Sequence, residues 1–105
     1  MLTSEMIEII QAYLLGLVAS ITPDGCPAVS PKGTFFLIRR DQLACAHIRS
    51  PNTVRNIQHN PHVEINFIDI LSRIAVRIEA KAQYTALQDA DIFIKKAFSG
   101  YLGRL

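Results

Sequence analysis

From Arg73 to Tyr84 the chain alternates without a slip. Ile74, Val76, Ile78, Ala80, Ala82 and Tyr84 take one parity; Arg73, Ala75, Arg77, Glu79, Lys81 and Gln83 take the other. A period of two sends successive side chains to opposite faces of an extended strand. One face is then buried and the other wet, the pattern of an antiparallel sheet; parallel strands, covered on both faces, read as continuous apolar runs. This one segment steers the chain towards an antiparallel β fold.

The remaining segments agree. Met6, Ile9, Ile10, Tyr13 and Leu14 follow a helical stripe, so residues 3 to 14 read as a one-sided helix, capped by Thr3 or Ser4 and stopped at Gly16. A strand is expected from Leu17 to Thr22, then a turn at Pro23-Asp24-Gly25. A second strand, interrupted, runs from about Ala28 to Ile38, and a third from Leu43 to Ile48; the three form an antiparallel meander. Ser50-Pro51 opens a second helix, since Ser caps well and Pro fits the first helical position. Asn60-Pro61 ends it. Val63 to Ile68 is a fourth strand and the Arg73–Tyr84 run the fifth. From about Leu87, the spacing of Ala86, Ala90, Phe93, Ile94 and Ala97 predicts a third helix. The expected order is α-β-β-β-α-β-β-α. The fold class is mainly β, an antiparallel barrel with flanking helices, because closure hides strand edges.

At 105 residues, the chain reads as a single domain over 1–105. Half of it is hydrophobic, and a chain this short leaves much apolar surface wet, which pairing with a second copy would cover. The net charge of +2 decides little, and the basic doublets Arg39-Arg40 and Lys95-Lys96 are far apart, so no nucleic-acid partner is expected. Cys26 and Cys45 form no C-x-x-C motif and are too few for a disulfide scaffold, which fits a reducing compartment. The start of the chain lacks the pattern of a signal peptide, and no apolar run is long enough to span a bilayer. The expectation is a cytoplasmic protein with no membrane partner.

Chemistry concentrates in two places. Arg49-Ser50-Pro51-Asn52-Thr53, continuing to Asn56, lies where a strand feeds a helix. The free N–H groups and dipole of a helix start suit a phosphate, and the fork of Arg49 matches phosphate oxygens. Thr53 and Asn56 are three apart and share a helix face. The competing reading makes Ser50 a cap and Arg49 a solvated cation. The second place is Ser30-Pro31-Lys32-Gly33-Thr34, where a Pro and a Gly interrupt a strand. A bare Gly33 would let a flat ring lie on the main chain, and Lys32 would bring positive charge; otherwise this is an irregular edge strand. His47, at a strand end near Arg49, could touch a phosphate or a ring edge. His59 and His62 straddle Pro61 with no partner at zinc spacing, so no metal site is expected. There is no serine elbow, Walker loop or dinucleotide glycine pattern. Any enzymatic reactivity would then come from a cofactor, and no residue is assigned as general acid or base.

Gly16-Leu17-Val18-Ala19-Ser20 through Asp24-Gly25-Cys26-Pro27, then Val29 to Gly33, then Arg49 to Pro61 form a spread pattern. It resembles small proteins of the pyridoxamine 5'-phosphate oxidase-like superfamily over about residues 3 to 84. The resemblance implies a split β-barrel that binds FMN at a homodimer interface, with the second subunit completing the pocket. It implies that Ser30, Lys32, Gly33 and Thr34 lie along the flavin, and that His47 to Thr53 hold the phosphate end. Lys32, Arg49, Ser50 and Thr53 become phosphate candidates, with Asn56 a helper. In the oxidase itself, basic residues stand at the positions of Asn52 and Thr53. The oxidase's C-terminal substrate-binding segment, and a final strand common in relatives, are expected to be missing here. The implied activity is therefore an FMN-dependent oxidoreductase or electron-transfer protein with some other small-molecule substrate or electron donor. The alternative is a non-enzymatic binder of flavin or another planar ligand.

Overall fold

A computed structural model describes residues 2–12, 15–33, 35–39, 42–47, 51–86 and 91–104. It begins with helix α1 (Ser4–Ala12). Thr3 caps it: its hydroxyl accepts from the Met6 amide at 3.3 Å and its carbonyl from Ile7 at 3.0 Å. Leu2, Met6 and Ile10 are buried, so the apolar stripe faces the core as its spacing requires.

Strands β1 (Gly16–Ile21), β2 (Pro27–Lys32), β3 (Phe35–Arg39) and β4 (Gln42–His47) follow. Helix α2 (Pro51–His59) comes next, then β5 (His62–Asp69), β6 (Ile74–Ala86) and β7 (Asp91–Arg104). All pairings are antiparallel, in the order β2-β1-β5-β6-β7-β4-β3. The two ends of that order, β2 and β3, are consecutive in the chain and separated by residues 33 and 34 alone. Three Cα steps span at most about 11 Å. A flat seven-stranded sheet cannot bring its ends that close, so the sheet curls round on itself as a split barrel. The interior confirms the curl. Phe35 of β3 meets Phe67 of β5 edge to face, with centroids 4.9 Å apart and planes at 76°.

Four expectations are corrected. The stretch predicted as a third helix from Leu87 is, over its described part, the strand β7; residues 87–90 lie outside the described residues. β7 pairs with β6 along its length and with β4 on its other edge. A helix there would leave β4 and β6 each with one unpaired edge, an outcome that outweighs a helical spacing of five apolar residues. The final strand expected to be missing is therefore present, and the sheet has seven strands rather than five. The meander is the third correction. β1–β2 and β3–β4 are separate hairpins at opposite ends of the order, because the interrupted strand breaks at Gly33 into β2 and β3. Arg73, expected in the long strand, instead belongs to the turn before β6 with φ of 59°. Asp69 closes that turn, its carboxylate accepting from the amides of Leu71 and Ser72 and from the Ser72 hydroxyl.

The core is the inner face of the barrel. Val18 of β1, Val63, Ile65 and Phe67 of β5, and Val76, Ile78, Ala80 and Ala82 of β6 are buried, at the alternate positions the sequence marks. Gly16 belongs to this wall. A β-carbon there would stand 2.5 Å from Phe35 Cε2 and 3.0 Å from Phe67 Cε1, so its bareness lets the two rings close. No helix among the described residues is long and apolar enough to cross a membrane.

Candidate functional site

β2 divides its side chains by parity. Ser30 and Lys32 pair with Val18 and Gly16 of the inner wall, whereas Val29 and Pro31 pair with Ala19 and Leu17 on the outer face. Ser30 is half-buried and Lys32 is buried inside the split. Burial holds the Lys32 amine below the ordinary lysine value, and the nearby Cys45 thiol of β4 pulls the other way. Cys45 is fully buried, while Cys26, the other free cysteine, is exposed in the β1–β2 turn.

Gly33 is exposed, and a β-carbon built on it would meet nothing within 4 Å. It stands two residues before Phe35, which pairs with Cys45 of β4. His47 stands two residues after Cys45. Gly33 and His47 therefore each lie two residues beyond the Phe35–Cys45 pair, at the same end of the β3–β4 ladder. From His47 the chain reaches the first turn of α2 in four residues. The hairpin thus sets the strand end that precedes α2 near the Phe35 end of β3, while Asn56, the deepest described residue of the second cluster, is tied to Ser20 of β1. Thr34, Arg49 and Ser50 lie outside the described residues, and of His47 the structure describes only its place in β4.

The first turn of α2 holds no acidic residue, so no carboxylate of its own neutralises the positive dipole end. Thr53 is buried in that turn, and no other described residue partners its hydroxyl. Asn56 serves the fold: its amide donates to the Ser20 hydroxyl of β1 at 3.1 Å, both groups being buried, and this locks α2 under the barrel. His59 and His62 are exposed, and among the described residues no group of three metal-ligating side chains forms.

Sequence reasoning missed two features. The first is Leu15, which falls between the expected helix over residues 3 to 14 and the strand expected from Leu17. It immediately precedes β1 and is 58% exposed. The second is a cleft of about 530 Å³ on the outer sheet face, lined among others by Ala19, Ile21, Pro27, His62, Glu64 and Glu79. Glu64 and Glu79 are direct partners in the β5–β6 ladder, and Arg77 holds Glu64 at 3.1 Å. Neither feature is legible without the register.

A family model described as pyridoxamine 5'-phosphate oxidase matches residues 2–102. No curated protein matches the sequence. Among solved structures, HupZ of Group A Streptococcus superposes with a TM-score of 0.89 at 20% identity, covering 99% of this chain and 95% of its own. An FMN-binding protein from Syntrophomonas wolfei subsp. wolfei gives 0.79 at 11% identity, with 94% and 84% covered. HutZ of Vibrio cholerae, a heme storage protein, gives 0.74 at 18% identity, with 98% and 94% covered. These likenesses carry the fold.

Proposed function

The chain belongs to the pyridoxamine 5'-phosphate oxidase family, and on that premise we propose that it binds FMN and works as an oxidoreductase or electron-transfer protein in the cytoplasm. The observation that carries this reading is the convergence, through the Phe35–Cys45 pairing, of the Lys32–Gly33 segment with the strand end that leads into α2. The residues suit the group. Gly33 leaves open space where a flat ring can lie, and the α2 start leaves a buried hydroxyl and an uncompensated dipole for a phosphate. Lys32, Arg49, Ser50 and Thr53 would hold the phosphate, and Ser30, Gly33, Thr34 and His47 would border the ring. FMN, when bound, supplies hydride or electron exchange. The chain's part is to seat the ring and keep positive charge beside it; Lys32, buried and cationic, favours an anionic partner over water.

The working unit in this proposal is a homodimer with the site at its interface. The outer face of β1 and β2 supports it: Leu17, Ala19, Ile21, Pro27, Val29 and Pro31 carry no charge, and Val29 is 64% exposed. Glu64, Glu79 and Arg77 continue that face on β5 and β6, with both signs present, as a self-complementary two-fold contact requires. Light scattering at micromolar concentration should return a dimer; monomer alone removes this part of the proposal.

The likeness to a heme storage protein favours one second reading, a non-enzymatic binder of a planar ligand. The absorbance spectrum of the purified protein decides between them. Flavin bands that bleach with NAD(P)H support the first reading; flavin bands that persist, or a heme band, support the second.

A further inference from the structure

We infer that Leu15 is the apolar wall of the ligand seat, packing its side chain against the ring system that lies on Gly33. The inference rests on the flavin reading above and assigns it a residue on the opposite side of the seat from the phosphate. β1 and β2 pair Gly16 with Lys32 and Leu17 with Pro31. Leu15 and Gly33 flank that terminal Gly16–Lys32 pair, Leu15 immediately before β1 and Gly33 immediately after β2, so both stand at the same end of the ladder. Both residues have the outer-face parity of Leu17 and Pro31.

A single exposed leucine needs no explanation. Leu15 is not single. It borders an uncharged strip of Leu17, Val29 and Pro31, and the one gap in that strip is Gly33, where a β-carbon would meet nothing. An aliphatic side chain standing beside a bare, open main-chain position forms a step: a floor at Gly33 and a riser at Leu15. A planar aromatic ligand fits a step of this kind with its face on the floor and its apolar edge on the riser. On the other side of Gly33, the β3–β4 register leads to His47 and on to α2. The apolar edge and the anionic tail of one ligand thus find opposite surroundings along one line.

The test titrates wild type, Leu15→Ala and Leu15→Asp with FMN and with riboflavin, following flavin fluorescence, alongside thermal melts and light scattering. Leu15→Ala should weaken both ligands by roughly three- to tenfold, the scale for removing part of one aliphatic contact, and Leu15→Asp more. Melts should stay unchanged, since the side chain is largely exposed. Unchanged affinities overturn the inference. So does a loss for FMN without a loss for riboflavin, which would put Leu15 at the phosphate, or a loss of dimer with intact affinity in the dimer that remains. Wild-type protein that binds neither ligand overturns the flavin reading itself, and the inference with it.

Discussion

Gly16 and Gly33 sit one register step apart across the β1–β2 pair, and the structure uses them in opposite ways. At Gly16 a β-carbon would collide with Phe35 and Phe67; at Gly33 it would meet nothing within 4 Å. Neither has the positive φ that by itself demands glycine, as Gly25 has at 86°. The first glycine is a packing device for the inner wall. The second has room for a β-carbon among the described residues, and in the proposed function that room takes a flat ring. The polar residues divide too: Asn56 is tied to Ser20 inside the fold, whereas the first turn of α2 holds no acidic residue of its own.

The sharpest way to break this contrast is Gly16→Val. It should destabilise by about 3 kcal/mol, the upper range for overpacking, with an early thermal melt and, in whatever remains folded, near-normal flavin affinity. A normal melt would remove the packing role. Arg49→Ala should act in the reverse sense, leaving the melt alone and weakening FMN by about 1.5–3 kcal/mol, the value of a charge-assisted hydrogen bond. Riboflavin should lose much less; equal losses place Arg49 away from the phosphate. Gly33→Val should fold and dimerise, melt within about 0.5 kcal/mol of the parent, and bind FMN at least about tenfold more weakly, or about 1.4 kcal/mol. Normal affinity in a normally folded protein ends the ring placement. Asn56→Ala belongs to the fold side: it strands the Ser20 hydroxyl and should cost about 1 kcal/mol in urea unfolding, without a matching change in ligand selectivity.

The smallest effect concerns Lys32, which stands between the two groups. Its folded value lies below the ordinary 10.5, so in the window between the two the unfolded chain binds the proton more tightly. Stability then rises with pH through that window. Lys32→Met lacks this term, so the melting temperature of the variant minus that of the parent should fall as pH climbs through it. A flat difference would mean that burial does not disfavour the charge.

Much of the fold is local and was readable. The alternation of β5 and β6, the cap at Thr3, the Pro-Asp-Gly turn and the limits of α2 follow from side-chain period and backbone preference, which each stretch of chain expresses alone. The two clusters around Lys32 and Arg49 were also readable as residue types suited to a phosphate and a ring. That Lys32 and the end of β4 lie on one side of the barrel was not, because it depends on Phe35 facing Cys45 across a hairpin. Leu15 escaped for the same reason. The helix expected after Leu87 shows the limit most clearly. Asp91–Arg104 holds Ile92, Phe93, Ile94, Phe98 and Tyr101, residues that favour strands, yet Phe93, Ile94 and Ala97 also fit a helical stripe. With both periods available, the choice fell to the unpaired edges of β4 and β6.

By itself the sequence determined that this chain is an antiparallel β protein, where its first two helices and most strands begin and end, and which residue types could meet an anion and a flat ring. Period, caps and turns are properties of neighbours along the chain. Only the tertiary structure decided that the sheet has a seventh strand, that its two ends curl together at residues 33 and 34, that Gly16 is crowded while Gly33 is open, and that Asn56 is spent on Ser20. Those are properties of residues far apart in sequence. They are settled by which backbone edges must be paired and which side chains must share one interior, and no local pattern records either.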